Sequence, residues 1–164
     1  MLYLLLAVAL QPAAGPSPQE LWRAWAEERY ITTPAPCLRP DELTDSLRAL
    51  AARHPGRLRV TEAGRSYQGR PIHMMVLGSG SRKVLLWSQM HGDEPSATPA
   101  LLDLADYLLG GAGGAAAAEI LGELTLLMVP MLNPDGSEVY ERRNAQGIDV
   151  NRDALNLATP EGRL

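Results

Sequence analysis

Cysteine and basic residues are both scarce in this sequence. The first shortage argues against a fold held by internal disulfides, and the second argues against a nucleic-acid-binding protein. The chain of 164 residues has one cysteine, Cys37, which can form no disulfide within the chain and has no second thiol at metal-ligand spacing. Its position between Pro36 and Leu38 favours a small apolar filler. Lysine and arginine total 15 against 19 aspartate and glutamate residues, giving a net charge of −4. A nucleic-acid partner is therefore not expected, because such binding requires a basic surface.

No apolar run at the start of the chain is long enough to cross a membrane, which takes about 20 residues. The run from Leu2 to Leu10 is followed by Gln11-Pro12 and by small residues at 13–15. A short apolar stretch before small residues is typical of a secretory signal peptide, although no lysine or arginine precedes this one. We expect residues 1–15 to direct export from the cell or into the periplasm. A buried N-terminal segment is the alternative.

Beyond residue 15 the sequence alternates between helix-like and strand-like apolar patterns. We expect a helical lead-in and a proline-rich loop over residues 16–40, followed by regular alternation over residues 41–164. With 46% hydrophobic and 21% charged residues, the chain can bury a sizeable core. Strands alternating with helices predict an α/β protein with helices packed on the faces of a sheet. In open sheets of this class, sites lie beyond the carboxyl ends of the strands.

A helix cap, two histidines, a low-complexity run and a turn have simple structural interpretations. Asp41 is expected to cap a helix, with His54 placed to interact with the C-terminus of that helix. His73 is interpreted as an ordinary facing residue of a strand. The low-complexity run GGAGGAAAAE at 110–119 is interpreted as a surface connection, and NPDG at 133–136 as a turn.

Three polar clusters follow the predicted strands, and the first contains two potential metal ligands. It is HGDEP, which places His91 and Glu94 directly after the apolar run at 84–90. Imidazole nitrogen and carboxylate oxygen are good zinc ligands, and this spacing in a strand-to-helix turn lets both side chains converge on one point. The alternative is that Asp93 or Glu94 caps the following helix.

The other two clusters are a proline-glycine turn and a dense polar segment. NPDG at 133–136 is explained by a plain turn. RRNAQGIDVNRD runs from Arg142 to Asp153 and is more polar than a core strand would be. A guanidinium pairs bidentately with a carboxylate and an amide adds a neutral donor, so Asn151 and Arg152 suit a substrate carboxylate. A solvated, salt-bridged surface loop is the alternative.

The order of these motifs resembles the zinc carboxypeptidase family, the metallocarboxypeptidases of the carboxypeptidase A and B superfamily. The resemblance runs from about Gly64 to Asp153 and includes the hairpin sequence GRSYQGRPI. It implies a three-layer α/β/α fold with a mixed sheet, of which residues 41–164 would be the N-terminal part, truncated at the C-terminus. It also implies zinc-dependent hydrolysis of C-terminal peptide bonds, with peptide or protein C-termini as substrates.

The resemblance implies a zinc site and also which residues complete it. His91 and Glu94 match the first two zinc ligands of the family. The family takes a third ligand, a histidine, and a general-base glutamate from sequence well downstream of the Asn-Arg pair, and residues 1–164 do not include that part of the family pattern. A site with two ligands should hold zinc poorly, so we expect these 164 residues alone to be inactive or nearly so.

Substrate-binding residues follow from the same resemblance. Arg142 matches the arginine that polarises the scissile carbonyl and stabilises its oxyanion, with Arg143 as the alternative. Asn151 and Arg152 match the pair that holds the C-terminal carboxylate of the substrate. Two other functions stay open: an acyl-amino-acid amidohydrolase similar to succinylglutamate desuccinylase and aspartoacylase, and a non-catalytic module that binds peptide or cell-wall carboxylates.

Overall fold

The computed structural model describes residues 17–30 and 38–164, so the predicted signal peptide and Cys37 lie outside the described residues. The helices and strands, in chain order, are α1 (Pro18–Glu28), α2 (Pro40–Arg53), β1 (Leu58–Arg65), β2 (Pro71–Leu77), β3 (Arg82–Trp87), α3 (Ala97–Gly110), α4 (Gly114–Glu123), β4 (Leu124–Val129) and α5 (Pro134–Val139). Two short 3-10 helices, Val150–Arg152 and Glu161–Arg163, follow. None of the helices in the described part combines the length and the apolar character needed to cross a bilayer.

The sheet has four strands in the order β1-β2-β4-β3. β2 pairs antiparallel with both β1 and β4, whereas β3 and β4 are parallel, with Leu85 opposite Leu127. The predicted α/β class and mixed sheet are therefore confirmed. Because β3 and β4 run in the same direction, the loops that follow them emerge at the same edge of the sheet. The HGDEP and NPDG motifs are neighbours for that reason.

The main hydrophobic core lies on one face of the sheet, under α2, α3 and α4. Its most buried side chains are Leu43, Leu47, Leu50, Leu58, Met75, Leu77, Leu102, Leu109, Leu126 and Met128. Each such side chain contributes about 1.5–3 kcal/mol through burial of apolar surface. On the other face, Leu85 and Trp87 are each 53% exposed. Within the described ranges, helices thus cover one face of the sheet, and the second helical layer of the predicted architecture is not among them.

The interpretation of residues 110–119 as a surface connection is wrong. Helix α4 begins at Gly114, and Ala117 packs into the core with 3% of its surface exposed. The run of alanines lacks apolar periodicity, which is why it resembled a linker. Alanine nevertheless has the highest intrinsic helix propensity, so the run forms a helix once tertiary contacts support it.

Two other boundaries differ from the prediction. Helix α2 begins at Pro40, with Arg39 as the N-cap in place of Asp41. Proline suits the first helical position because it lacks only an N–H group that would have no intrahelical partner there. NPDG opens helix α5, and the Asn133 side chain caps that helix by accepting a 2.9 Å hydrogen bond from the Gly136 N–H.

The two histidines outside the HGDEP motif have structural surroundings. His54 ends helix α2, but its ring pairs with α3: Nε2 lies 2.6 Å from Asp106 Oδ1, and both side chains are buried. The prediction of a role at the helix terminus missed this contact. His73 lies in β2 as predicted, 3.1 Å from Thr44 Oγ1. Burial lowers the pKa of His73 below its ordinary 6.5, and the nearby Glu62 carboxylate partly offsets that shift.

Candidate metal centre and substrate site

The loops after β3 and β4 are joined by backbone hydrogen bonds beyond the strands themselves. The Ser88 N–H donates to Val129 O at 2.9 Å. The N–H groups of Leu132 and Asn133 donate to Ser88 O and Gln89 O, each at 3.0 Å. The HGDEP and NPDG segments are therefore held at a fixed separation.

Gln89 and Gly92 set the path of the chain through the first motif. Gln89 has a φ of 47°, and its buried amide donates to Gly92 O at 3.0 Å and to Ser137 Oγ at 2.8 Å. Its amide oxygen accepts from Thr98 Oγ1 at 2.7 Å. A Cβ atom at Gly92 would lie 2.0 Å from the backbone carbon of Gly136, so this approach requires glycine. Sequence analysis missed Gln89 because it sits in a run that reads as a continuous strand.

His91 and Glu94 converge at this edge of the sheet. His91 is buried, and its Nδ1 lies 3.0 Å from Glu94 Oε2. The pair is not aligned as a hydrogen bond, and the buried Nδ1 has no hydrogen-bond partner among the described residues. Such an atom costs about 1–3 kcal/mol unless something binds it. A buried nitrogen without a partner beside a carboxylate fits the donor chemistry of a zinc site.

The described part of the chain supplies only a partial ligand set. Across residues 17–30 and 38–164, no group of three or more histidine, cysteine, aspartate or glutamate side chains is arranged to hold a metal ion. His91 and Glu94 therefore fit as two ligands of a site that needs a third, since catalytic zinc takes three protein ligands and a water.

Asp149 contacts three parts of the site with one carboxylate. Its Oδ1 lies 3.0 Å from His91 Nε2 and accepts from the Asn151 N–H at 3.0 Å, while Oδ2 accepts from Arg142 Nε at 3.2 Å. Burial works against ionisation, but the hydrogen bonds from His91 and Asn151 and the charge of Arg142 hold the pKa of Asp149 below its ordinary 3.8. A carboxylate on the far nitrogen of a histidine fixes the orientation of its ring.

Arg142, and not Arg143, faces the HGDEP motif. Arg142 Nη1 lies 3.2 Å from Glu94 Oε1, and Nε bonds Asp149. Arg143 instead donates to Gly147 O at 2.8 Å and lines a separate cavity beside Gln68. Exposed ion pairs contribute little to stability, about 0–1 kcal/mol each. The contacts of Arg142 therefore matter more for where they hold the guanidinium than for folding.

Asn151 and Arg152 lie in the first 3-10 helix with exposed side chains. Arg152 Nη1 donates to the backbone oxygen of Asn151 at 3.1 Å. In the part of the chain that the structure describes, no carboxylate forms an ion pair with Arg152. The remaining donors of its planar guanidinium face solvent, where they could bind a carboxylate from another molecule.

Asp153, which is 2% exposed, holds the segment at 154–159 in place through hydrogen bonds. The carboxylate accepts from the Ala158 N–H at 2.8 Å and from the N–H and the hydroxyl of Thr159, both at 2.7 Å. These hydrogen bonds, the one from the Thr159 hydroxyl foremost, hold the pKa of Asp153 below its ordinary 3.8. The backbone on the carboxyl side of Arg152 is therefore fixed.

We expect Asp153→Asn to lower the thermal unfolding midpoint at pH 7, because the new amide nitrogen would face an N–H donor. The pKa of Asp153 is lower in the folded chain than in the unfolded chain. The ionised carboxylate therefore stabilises the fold above the ordinary pKa, and this contribution is lost as pH falls through the folded-state value. The difference in midpoint should be full at pH 5–7 and shrink below about pH 4.

Circular dichroism melts from pH 7 to pH 3 measure this difference. Asp45→Asn is the control, because the Asp45 side chain is 76% exposed and, among the described residues, forms an ion pair only with Arg48. A destabilisation by Asp153→Asn that is the same at every pH would contradict the ionised role of Asp153.

Comparisons with known proteins agree with this fold and these motifs. Residues 43–156 match the zinc carboxypeptidase family. Carboxypeptidase 2 of Trichophyton rubrum is 33% identical over 134 residues, covering 75% of this chain. The crystal structure of a metallo-carboxypeptidase from Burkholderia cenocepacia superposes with a TM-score of 0.70 at 27% identity, over 77% of this chain. Carboxypeptidase A from Helicoverpa armigera shares the fold, with a TM-score of 0.68 at 22% identity.

The chain belongs to the zinc carboxypeptidase family, as its three motifs predict. It covers 24% of the length of the Trichophyton carboxypeptidase and 36% of the Burkholderia chain. The part of the chain that matches the family, residues 43–156, includes the segments that carry His91, Glu94, Arg142, Asn151 and Arg152.

Proposed function

We propose that this chain provides part of the active site of a zinc metallocarboxypeptidase, with His91 and Glu94 as two of the zinc ligands. The observation that carries the proposal is the buried Nδ1 of His91, which has no hydrogen-bond partner among the described residues and lies 3.0 Å from Glu94 Oε2. The Glu94 carboxylate also pairs with the Arg142 guanidinium. Membership of the family supports peptidase chemistry over the related amidohydrolase chemistry.

The side chains of this region divide the work of substrate binding. A bound zinc ion would supply Lewis acidity and activate a water molecule. Arg142 would stabilise negative charge that develops on the scissile carbonyl oxygen, since its guanidinium is held beside the two ligands. Asn151 and Arg152 would bind the free carboxylate at the end of a peptide or protein substrate. Asp149 would keep the His91 ring and the Arg142 guanidinium in place at the same time.

The location of the protein, inside or outside the cytoplasm, is proposed from the sequence alone. The apolar run at 2–10 and the small residues at 13–15 support export, so we propose that the protein acts outside the cytoplasm, as a secreted or periplasmic enzyme. Oxidising surroundings would suit a chain with a single cysteine equally well as reducing ones.

Zinc binding tests the ligand assignment directly. We expect the 164-residue chain to bind zinc weakly, and His91→Ala or Glu94→Ala to weaken binding by at least about tenfold. His73→Ala is the matched control, because it removes an imidazole that lies elsewhere, in β2. Isothermal titration calorimetry at pH 7 measures the affinity. Equal zinc uptake by all four proteins would remove the metal assignment.

Peptidase activity tests the reaction. The protein expressed from the full reading frame should release the C-terminal residue of an N-blocked dipeptide in a zinc-dependent manner. The same dipeptide with an amidated C-terminus should be a poor substrate, because Asn151 and Arg152 would have no carboxylate to bind. Equal hydrolysis of the acid and the amide would contradict carboxypeptidase specificity.

A further inference from the structure

A buried carboxylate, Glu161, lies outside the residues that match the family. It belongs to the second 3-10 helix and is 2% exposed. Its Oε2 accepts a hydrogen bond from Asn144 Nδ2 at 3.0 Å, and its Oε1 accepts one from the Tyr67 N–H at 3.4 Å. No basic side chain of the described residues pairs with it. Burying a carboxylate without a cation is costly unless hydrogen bonds compensate. Glu161 therefore depends on its two donors, the Asn144 amide and the Tyr67 N–H.

Asn144 closes the turn that separates Arg142 from Asp149. Its Oδ1 accepts from the Gln146 N–H at 3.0 Å and from the Ile148 N–H at 3.1 Å. Its own backbone N–H donates to Ile148 O at 3.0 Å. Arg142 Nε in turn bonds Asp149 Oδ2 across the open end of this turn. The conformation of the turn therefore decides where the Arg142 guanidinium lies.

We propose that Glu161 is a positioning residue for Arg142, acting through the side-chain amide of Asn144. An amide has one accepting end and one donating end, whereas a carboxylate only accepts. Glu161 thus requires Nδ2 of Asn144 to point toward it, which turns Oδ1 toward the two backbone N–H groups of the turn. With the amide reversed, both donors would lose their partner. The consequence for catalysis rests on the proposed function of Arg142.

Single substitutions at either position should loosen the turn. In Glu161→Gln, the new amide can offer its oxygen to Asn144 or to the Tyr67 N–H, and its nitrogen then faces the other donor. In Asn144→Asp, two carboxylates meet in a buried position. We expect either change to speed hydrogen exchange of the Gln146 and Ile148 amides by about tenfold or more.

The double substitution Asn144→Asp with Glu161→Gln separates the proposal from general destabilisation. The introduced glutamine would donate its amide nitrogen to the introduced aspartate and accept from the Tyr67 N–H with its oxygen. The aspartate would still accept from the Gln146 and Ile148 N–H groups. We therefore expect the double variant to return the exchange rates to within about threefold of the unmodified chain.

Amide exchange followed by nuclear magnetic resonance on the 164-residue chain measures these rates. Glu119→Gln is the control, since it makes the same chemical change at an exposed position of α4. Exchange in the double variant that is as fast as in the single variants, or single variants that exchange no faster than the control, would overturn the proposal.

Kinetics of the protein from the full reading frame complete the test. Each single variant should lower kcat about tenfold with KM little changed, because the contact between Arg142 and the oxyanion forms in the transition state. The double variant should recover kcat. An unmodified protein without peptidase activity would refute the proposed function and not the coupling seen by exchange. If the unmodified protein is active and the single variants keep its kcat despite faster exchange in the turn, the positioning role of Glu161 is refuted.

Discussion

Replacing Arg142 by alanine should lower kcat for peptide hydrolysis by about 10²–10³-fold in the protein from the full reading frame. The guanidinium lies 3.2 Å from Glu94 Oε1 and is fixed by Asp149, so it can meet charge that develops next to the proposed zinc ligands. KM should change little, because the charge on the carbonyl oxygen appears only in the transition state. Steady-state kinetics on an N-blocked dipeptide measure both constants.

Arg143→Ala is the matched control for this prediction, because Arg143 is a neighbouring arginine that bonds Gly147 O instead. It should lose far less activity than Arg142→Ala, because its hydrogen bond to the turn is solvent-exposed and it has no ion pair with Glu94 or Asp149 among the described residues. Arg142→Lys should fall between the two, since lysine keeps the charge but lacks the planar fork that reaches Asp149 and Glu94 together. Equal losses from Arg142→Ala and Arg143→Ala would contradict the assignment of Arg142.

Replacing Asp106 by alanine should destabilise the fold by about 3 kcal/mol. Asp106 and His54 are both buried, with Nε2 of the histidine 2.6 Å from Oδ1, and Arg53 Nη2 lies 3.4 Å from Oδ2. The contact joins the end of α2 to the middle of α3. Removing the carboxylate leaves a buried imidazole and a cation without their acceptor, which costs more than the net value of the original pair.

Urea denaturation at pH 7, analysed with a common slope, measures the free energy of unfolding of the Asp106→Ala variant. Glu123→Ala is the control, because its ion pair with Arg82 is solvent-exposed and should contribute about 0–1 kcal/mol. A loss for Asp106→Ala no larger than that of the control would show that the buried contact between α2 and α3 is energetically unimportant.

Much of the fold could be predicted because its signals are local. The apolar run at 84–90 and the one that begins at Leu124 have the length and composition of buried strands, and both form strands that run in parallel. The pattern of apolar residues does not predict helix α4, because the four alanines at 115–118 have no apolar periodicity. Its propensity becomes decisive only when the sheet offers Ala117 a surface to pack against.

The candidate site shows the same division between local and distant information. His91, Glu94 and Arg142 were identified from motifs, and the structure brings their side chains within a few ångströms. The motifs do not reveal the partners that orient these side chains. Asp149 meets His91 across 58 positions of the chain, and Glu161 meets Tyr67 across 94. No local pattern shows which distant group a polar side chain will meet, since that depends on how the loops fold over one another.

The contact between Gly92 and Gly136 limits how this region can change by mutation. The two backbones touch with no room for a methyl group, and the HGDEP motif and the first turn of α5 lie on opposite sides of that contact. Any side chain at position 92 would act as a wedge, and the displacement would pass directly to His91, one residue away. Sequence drift at this position should therefore be rare compared with drift at exposed positions of α4, where added bulk extends only into water.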